Sequence, residues 1–404
     1  MVTRREFMKA ASLVALAPSV PLFVARAARA ATLRAGAGDG RILLVLHLAG
    51  GNDGLNTVVP YADDLYAKAR PKLRVASERI LKLDDRVGLH PALVAMKTLF
   101  ERGQLAIVQG VGYPNPNRSH DVATSIWNTA RFDREEHASY GWIGRAYDAA
   151  PPLAAGTPAA ILVGADALPG ALKSRRAPAV AINGLDDALR VDLGSFAASA
   201  AAPAASGAES VAAFVQRTTV DARVTAQKLK EAAARAKTGG TYPRGDLARR
   251  LQLIAQLIEA GFETPVYYAL HRGYDTHVAQ SETQATLLRE LSEALLAFVD
   301  DLSAARLQDR VAVLVFSEFG RRVAENASLG TDHGTAAPVF VVGAKVRSGL
   351  VGAAPNLADL DAEGDLKPGL DFRRVYAHLL RDWLRVPDAE SLAGTFEPLP
   401  LLVT

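Results

Sequence analysis

The sequence predicts an α/β protein built on a mostly parallel sheet flanked by helices, and three observations carry that prediction. Residues 42–49, Ile-Leu-Leu-Val-Leu-His-Leu-Ala, form a short, almost unbroken apolar run of the kind found in strands buried on both faces. Runs of similar character recur at residues 105–111, 265–270, 311–316 and 339–343. Segments with apolar residues at three- and four-residue spacing, above all 246–260 and 282–302, read as amphipathic helices between them.

In chain order, the first strand stops at Gly50-Gly51-Asn52-Asp53-Gly54, which places a carboxylate, Asp53, at the carboxyl edge of the sheet, where open α/β sheets bind ligands. The same residues also suit an ordinary turn. A helix over 91–102 leads to the strand 105–111, a rigid loop 112–121 and a helix over 122–130. Ser119 falls at the N-cap of that helix, a position fit either for plain capping or for a nucleophile facing an anion at the helix start. Residues 141–145 lead into another helix, with Arg145 either pointing at an anion or solvated.

Residues 151–245 change in texture. Short strands at 159–163 and 179–182 precede an Ala/Ser-rich stretch at 198–207 and a helix over 218–237, a pattern read as a cap or insertion subdomain over the sheet edge. After the helix 246–260, the strand 265–270 ends near Asp275 and His277. The strand 311–316 ends in Ser317-Glu318-Phe319-Gly320-Arg321, and Asp332 and His333 precede the strand 339–343. A hairpin near 346–351 and a helix over 371–384 complete the chain.

The first thirty residues stand apart. Arg4-Arg5-Glu6-Phe7-Met8-Lys9, a short apolar stretch broken by Pro18 and Pro21, and Ala28-Arg29-Ala30 resemble a twin-arginine export signal with its cleavage site. The resemblance implies that the export machinery for folded cargo is a partner. The mature domain, 31–404, is then expected to be periplasmic or secreted, with no stable membrane span. Removing residues 1–30 takes away five basic residues and one acidic one, so the overall +3 becomes +3 − 4 = −1. The apparent basicity belongs to the signal, and a nucleic-acid partner is not expected. No dinucleotide fingerprint accompanies any strand. With no cysteine in the 404 residues, any metal must be held by oxygen and imidazole.

The polar groups gather at strand ends: Asp53, Asp275 with His277, Glu318, and Asp332 with His333. A parallel sheet brings its carboxyl ends to one edge, so these groups are expected to meet around one or two divalent ions, whether zinc, manganese, magnesium or calcium. A His-Asp hydrogen bond and a Glu318–Arg321 ion pair are the plainer alternatives.

The motifs at 46–56 (Leu-His-Leu-Ala-Gly-Gly-Asn-Asp-Gly-Leu-Asn), 117–120 (Asn-Arg-Ser-His), 141–145 (Gly-Trp-Ile-Gly-Arg), 275–277 (Asp-Thr-His), 317–321 (Ser-Glu-Phe-Gly-Arg) and 330–334 (Gly-Thr-Asp-His-Gly) resemble a bacterial family of exported proteins, domain of unknown function 1501. That family is grouped with the alkaline phosphatases and sulfatases, which act on phosphate and sulfate esters at a metal site. The resemblance implies an alkaline-phosphatase-like three-layer sandwich. It implies Ser119 as nucleophile with His120 beside it, and Asp53, Asp275, His277, Glu318 and His333 as metal ligands. Asn52 or Asp332 would complete a second ion's shell, and Arg145 or Arg321 would steady the anion. Two departures accompany it: the Asp275–His277 spacing is shorter than in alkaline phosphatases, and Phe319 stands where a histidine is expected. The alternative to a hydrolase or transferase is a member that binds a cell-envelope glycan or protein partner without turnover.

Overall fold

Strand β1 (Ile42–Ala49) lies in the middle of the main sheet because every second side chain has a different core to enter. Ile42, Leu44, Leu46 and Leu48 join one buried cluster and Leu43 and Val45 the other, so neither face can be left to water. The computed structural model describes residues 40–132, 140–154, 156–165, 167–184, 227–229, 231–232, 235 and 240–403. The expected export signal and most of residues 185–239 lie outside them, among these the Ala/Ser-rich stretch and most of the helix expected over 218–237.

The other strands are β2 (Val58–Val59), β3 (Leu81–Lys82), β4 (Gly88–Leu89), β5 (Leu105–Gly112), β6 (Ala160–Val163), β7 (Ala179–Ile182), β8 (Val266–Arg272), β9 (Val311–Phe316), β10 (Ala337–Val342), β11 (Gly349–Val351) and β12 (Leu370–Asp371). The main sheet runs β11-β5-β10-β9-β1-β8-β6-β7, with β12 also on β5, while β2, β4 and β3 make a small separate sheet. All neighbours in the main sheet are parallel except β10, which is antiparallel to both β9 and β5. Its reversal has a functional consequence. Asp332 and His333 precede β10, yet they reach the edge where β1, β5, β8 and β9 end.

Helices cover both faces. On one side lie α1 (Val94–Glu101), α4 (Asp246–Glu259) and α5 (Gln280–Ala304). On the other are α2 (His120–Thr129), α3 (Trp142–Ala149) and α6 (Phe372–Ala377). This is the expected mixed α/β architecture, with a mostly parallel sheet between two helical layers. Among the described residues no helix is long and apolar enough to cross a membrane.

Two expectations are corrected. β6 and β7 extend the main sheet beside β8 in parallel register, so this part of residues 151–245 is sheet rather than cap. Their inward side chains, such as Ile161 and Leu162, find helices on both faces and have no reason to form a layer of their own. The hairpin near 346–351 does not form: Gly349–Val351 pairs with β5, and Val346 bridges to Leu402. The terminal helix forms over the expected residues, as α-helix in Phe372–Ala377 and as a π-helical stretch in His378–Leu384 that ends at Arg385 in the left-handed region.

Candidate metal centre

Three histidines reach the carboxyl edge of the sheet from three directions, and each has one ring nitrogen tied down. His120 opens α2, and its Nδ1 lies 2.9 Å from Glu318 Oε1. His277 follows β8 with Nδ1 3.0 Å from Asp332 Oδ1, and His333 precedes β10 with Nδ1 2.8 Å from the Arg118 carbonyl oxygen. A carbonyl or an ionised carboxylate only accepts, so each Nδ1 donates and each neutral ring keeps its lone pair on Nε2.

Those Nε2 atoms converge on Asp275. Its Oδ1 is 3.0 Å from Nε2 of His277, 3.1 Å from that of His333 and 3.4 Å from that of His120. The Nε2 atoms of His277 and His333 are themselves 2.9 Å apart, and that of His120 is buried without a hydrogen-bond partner. One ligand atom from each of His120, Asp275 and His333 lies within 4.8 Å of the other two. Lone pairs crowded together in this way repel unless protons or a cation sit among them. Imidazoles oriented through their far nitrogens by carboxylate and carbonyl acceptors form a familiar support for a metal ion. The donor set of nitrogen and oxygen without sulfur therefore fits a divalent ion.

Electrostatics favour the charged carboxylates. Burial opposes ionisation of Asp275, but Arg321 and His333 outweigh it and hold its carboxyl at about 2. Burial likewise opposes charge on Glu318, and hydrogen bonds from His120 and His47 overcome it, so that its carboxyl titrates well below the usual range. The bond to Glu318 raises His120 against the pull of burial, whereas burial prevails at His333 and lowers it. Asp332 is lowered chiefly by its bond from His277.

The β1 turn reaches this centre through two glycines. Gly50 has φ +123° and its backbone N–H donates to Glu318 Oε1 at 2.9 Å, while a Cβ there would meet the backbone nitrogen of Asp275 at 2.5 Å. At Gly51, φ +73°, the obstacle is the Phe319 ring at 2.3 Å. Replacing Gly50 with alanine is expected to destabilise the fold by about 1–3 kcal/mol through backbone strain. It should also push Asp275 from the histidines, and chemical denaturation together with zinc titration would measure the two effects.

A family model matches residues 41–394. The chain belongs to the family described as Protein of unknown function (DUF1501). No curated protein matches it. Similar solved structures include the C-terminal periplasmic domain of EcEptC from Escherichia coli in complex with zinc, at 10% identity, covering 87% of this chain and 84% of that one with a TM-score of 0.40. A protein in the alkaline phosphatase superfamily from Vibrio parahaemolyticus shows 10% identity over 88% and 68% of the two chains, with a TM-score of 0.40. The PsFucS1 sulfatase from Pseudoalteromonas sp. shows 10% identity over 91% and 74%, with a TM-score of 0.37.

In this DUF1501 protein the expected site residues separate into two groups. His120, Asp275, His277, Asp332, His333 and Glu318 come together as described. Glu318, however, stands behind His120 with both oxygens occupied: Gly50 and His120 donate to Oε1, and His47 lies 3.1 Å from Oε2. Ser119 is exposed at the N-cap of α2, and its side chain makes no capping bond.

The remaining candidates are held elsewhere. Asp53 is 1% exposed and accepts from Arg70 at 2.6 Å, from Gln280 and from the Asn56 backbone N–H; Asp275 also meets a guanidinium, but it is Asp275 and not Asp53 that groups with His120 and His333. Asn52 bonds to Thr57 and Ser317. Arg145, expected beside an anion, donates instead to the carbonyls of Thr129, Tyr140 and Ser391, the first of which is at the carboxyl end of α2. Arg321 is buried and donates to the carbonyls of Gly50, Gly51, Tyr274 and Thr331 as well as to Asp275. It fastens three loops together, which consumes the donors an anion would need. Phe319 packs against both His120 and His333, with ring centroids 4.9 Å from each.

Sequence reasoning missed His47, Arg70 and Arg118. A histidine in an otherwise aliphatic strand was a visible signal for the first. Nothing in the spacing of Arg70 points to Asp53, and Arg118 contributes a backbone carbonyl, which leaves no trace in a side-chain pattern.

Proposed function

We propose that this protein is an exported, metal-dependent hydrolase or transferase acting on a phosphate or sulfate ester. The observation that carries the reading is the convergence of the His120, His277 and His333 Nε2 atoms on Asp275. His120, Asp275 and His333 would hold the ion, with the His277 ring beside them, and Glu318 and Asp332 would orient the rings of His120 and His277. When bound there, a divalent ion polarises the ester oxygens and offsets charge that builds up as the bond to the leaving group breaks. Ser119 is placed in this reading as the nucleophile. Its hydroxyl is exposed at the start of α2, where first-turn N–H groups favour an anion. Its oxygen would form the new bond to phosphorus or sulfur as the ester oxygen's bond to that atom breaks, the hydroxyl proton ending on the departing alcohol. Water, or an acceptor hydroxyl in a transferase, would then take the group from Ser119 and return a proton to it.

Elemental analysis of the purified protein, followed by a panel of phosphate and sulfate esters, tests the proposal. An active protein with about one ion per chain is expected, and an inactive protein unable to bind zinc or manganese would defeat it. Ser119→Ala is expected to lower turnover by at least about a hundredfold while leaving metal content unchanged, as removal of a nucleophile should. Full activity in that variant would assign attack to another group. Transport of a reporter fused to residues 1–30, and its arrest when Arg4 and Arg5 become lysine, tests the export element.

A second reading, a member that binds an envelope glycan or partner without turnover, draws support from Asp53 and Phe319. With Asp53 held by Arg70 and the Phe319 ring packed beside His120 and His333, a single ligand cluster forms among the described residues. Tight ligand binding without product release would favour it.

A further inference from the structure

The buried histidine of the first strand sits at the far end of a chain of polar contacts that leads to the metal centre. His47 is 3% exposed, and its Nε2 lies 3.1 Å from Glu318 Oε2, while the other oxygen of the same carboxylate is 2.9 Å from His120 Nδ1. A carboxylate accepts and does not donate, so both imidazoles give it a proton. His120 is thereby left with its lone pair on Nε2, toward Asp275. A second path joins the same two residues. The His47 ring stacks on Phe316 with centroids 4.7 Å apart and planes at 4°, and Phe316 stacks on Trp127, a residue of α2, at 4.9 Å. His120 begins that helix.

We infer that His47 is a positioning residue for cation binding, acting through Glu318 to aim the His120 Nε2 at the ion; the inference rests on the metal reading above. Without His47, one Glu318 oxygen in the buried interior loses a charge-assisted donor. The carboxylate is then free to rotate away from His120 or to recruit water, and the orientation of the His120 ring is no longer enforced. Ser317 Oγ, 3.2 Å from the same oxygen, is no full substitute because it lies 2.6 Å from the Leu48 carbonyl, its better-placed acceptor. An aliphatic side chain would serve the strand equally well if packing were the whole role of position 47, since its neighbours in register, Leu270 and Phe316, are apolar.

The test is zinc affinity of the full mature chain, read by competition with a chromophoric chelator, beside the melting temperature of each variant. His47→Ala is expected to weaken zinc binding about 10–100-fold, the usual effect of losing a residue that orients a ligand. His47→Gln, whose amide nitrogen can replace Nε2 as a donor to Glu318, should recover most of that loss, whereas His47→Leu should not. Glu318→Gln combined with His47→Ala should be little worse than Glu318→Gln alone, because the two act in series. Unchanged zinc affinity in His47→Ala would overturn the inference, as would equal loss in the Gln and Leu variants or additive losses in the double variant. Failure of the unaltered protein to bind zinc or manganese would overturn this inference together with the metal reading.

Discussion

If the protein is the metal-dependent esterase proposed above, replacing Asp275 with alanine is expected to abolish zinc binding and, with it, essentially all ester turnover. Among the described residues, Asp275 is the one carboxylate whose oxygen lies within 3.4 Å of all three converging imidazole nitrogens. Loss of a bound divalent ion forfeits several kcal/mol of transition-state stabilisation, and at about 1.4 kcal/mol per tenfold that corresponds to a thousandfold or more in rate. The fold should survive. Asp275 is about half exposed, and Arg321 retains the carbonyls of Gly50, Gly51, Tyr274 and Thr331 when the carboxylate is gone. Arg321 is itself fully buried and loses a charge-assisted bond, so a cost of about 1.5–3 kcal/mol is expected. Zinc stoichiometry, ester turnover and a denaturation curve measured on the same preparation would check the three statements. Retention of stoichiometric zinc by the variant would place the ion elsewhere.

The largest effect on stability is expected from Arg70→Ala, a change outside the metal centre. Arg70 is fully buried. Its guanidinium donates to Asp53 at 2.6 Å, to the Asn56 side chain at 2.7 Å, and to the carbonyls of Arg322 and Val323 at 2.8 and 2.9 Å. Alanine would strand the Asp53 carboxylate in the interior with Gln280 and the Asn56 backbone N–H as its remaining partners. Breaking a buried pair from one side costs about 3–5 kcal/mol, because a charge is left uncompensated. Urea denaturation should show that loss, and Asp53→Asn in the same chain should return part of it, since the amide carries no charge to strand. Arg322 and Val323 follow Arg321 directly, so the variant should also loosen the loop that holds Asp275. A wild-type midpoint in Arg70→Ala would show that the pair contributes nothing net.

The two predictions fall on residues that sequence pattern treats very differently. Asp275 was visible as a carboxylate two residues from a histidine after a strand, and its convergence with His333 followed from the geometry of a sheet edge. The same reasoning put Asp53 in the same group, because it too follows an apolar strand in a glycine-rich turn. Pattern alone cannot see that Arg70 folds back against it. A guanidinium arriving from a short helical segment seventeen residues on pairs with that carboxylate in the interior, away from the histidine group. Arg145 and Arg321 show the same limit from the cationic side: both looked like anion clamps, yet Arg145 donates to backbone carbonyls and Arg321 to backbone carbonyls and the Asp275 carboxylate. An arginine has five donors, and whether carbonyl oxygens or a ligand receive them depends on which loops pass within reach.

By itself, then, the chain's order of residues determined the layered α/β architecture, since continuous apolar runs can only be covered from both faces and amphipathic helices can only cover them. It also determined that the polar groups after those runs would collect at one edge, and that any metal there must be met by nitrogen and oxygen. Tertiary structure alone decided which of them meet. The reversal of β10 carries His333 to the edge from the wrong end of its strand, Glu318 turns back to hold His120 and His47, and Arg70 withdraws Asp53. The physical reason is that periodicity reports which face a side chain occupies, whereas partnership between charged groups is settled by distances of about 3 Å across segments far apart in the chain.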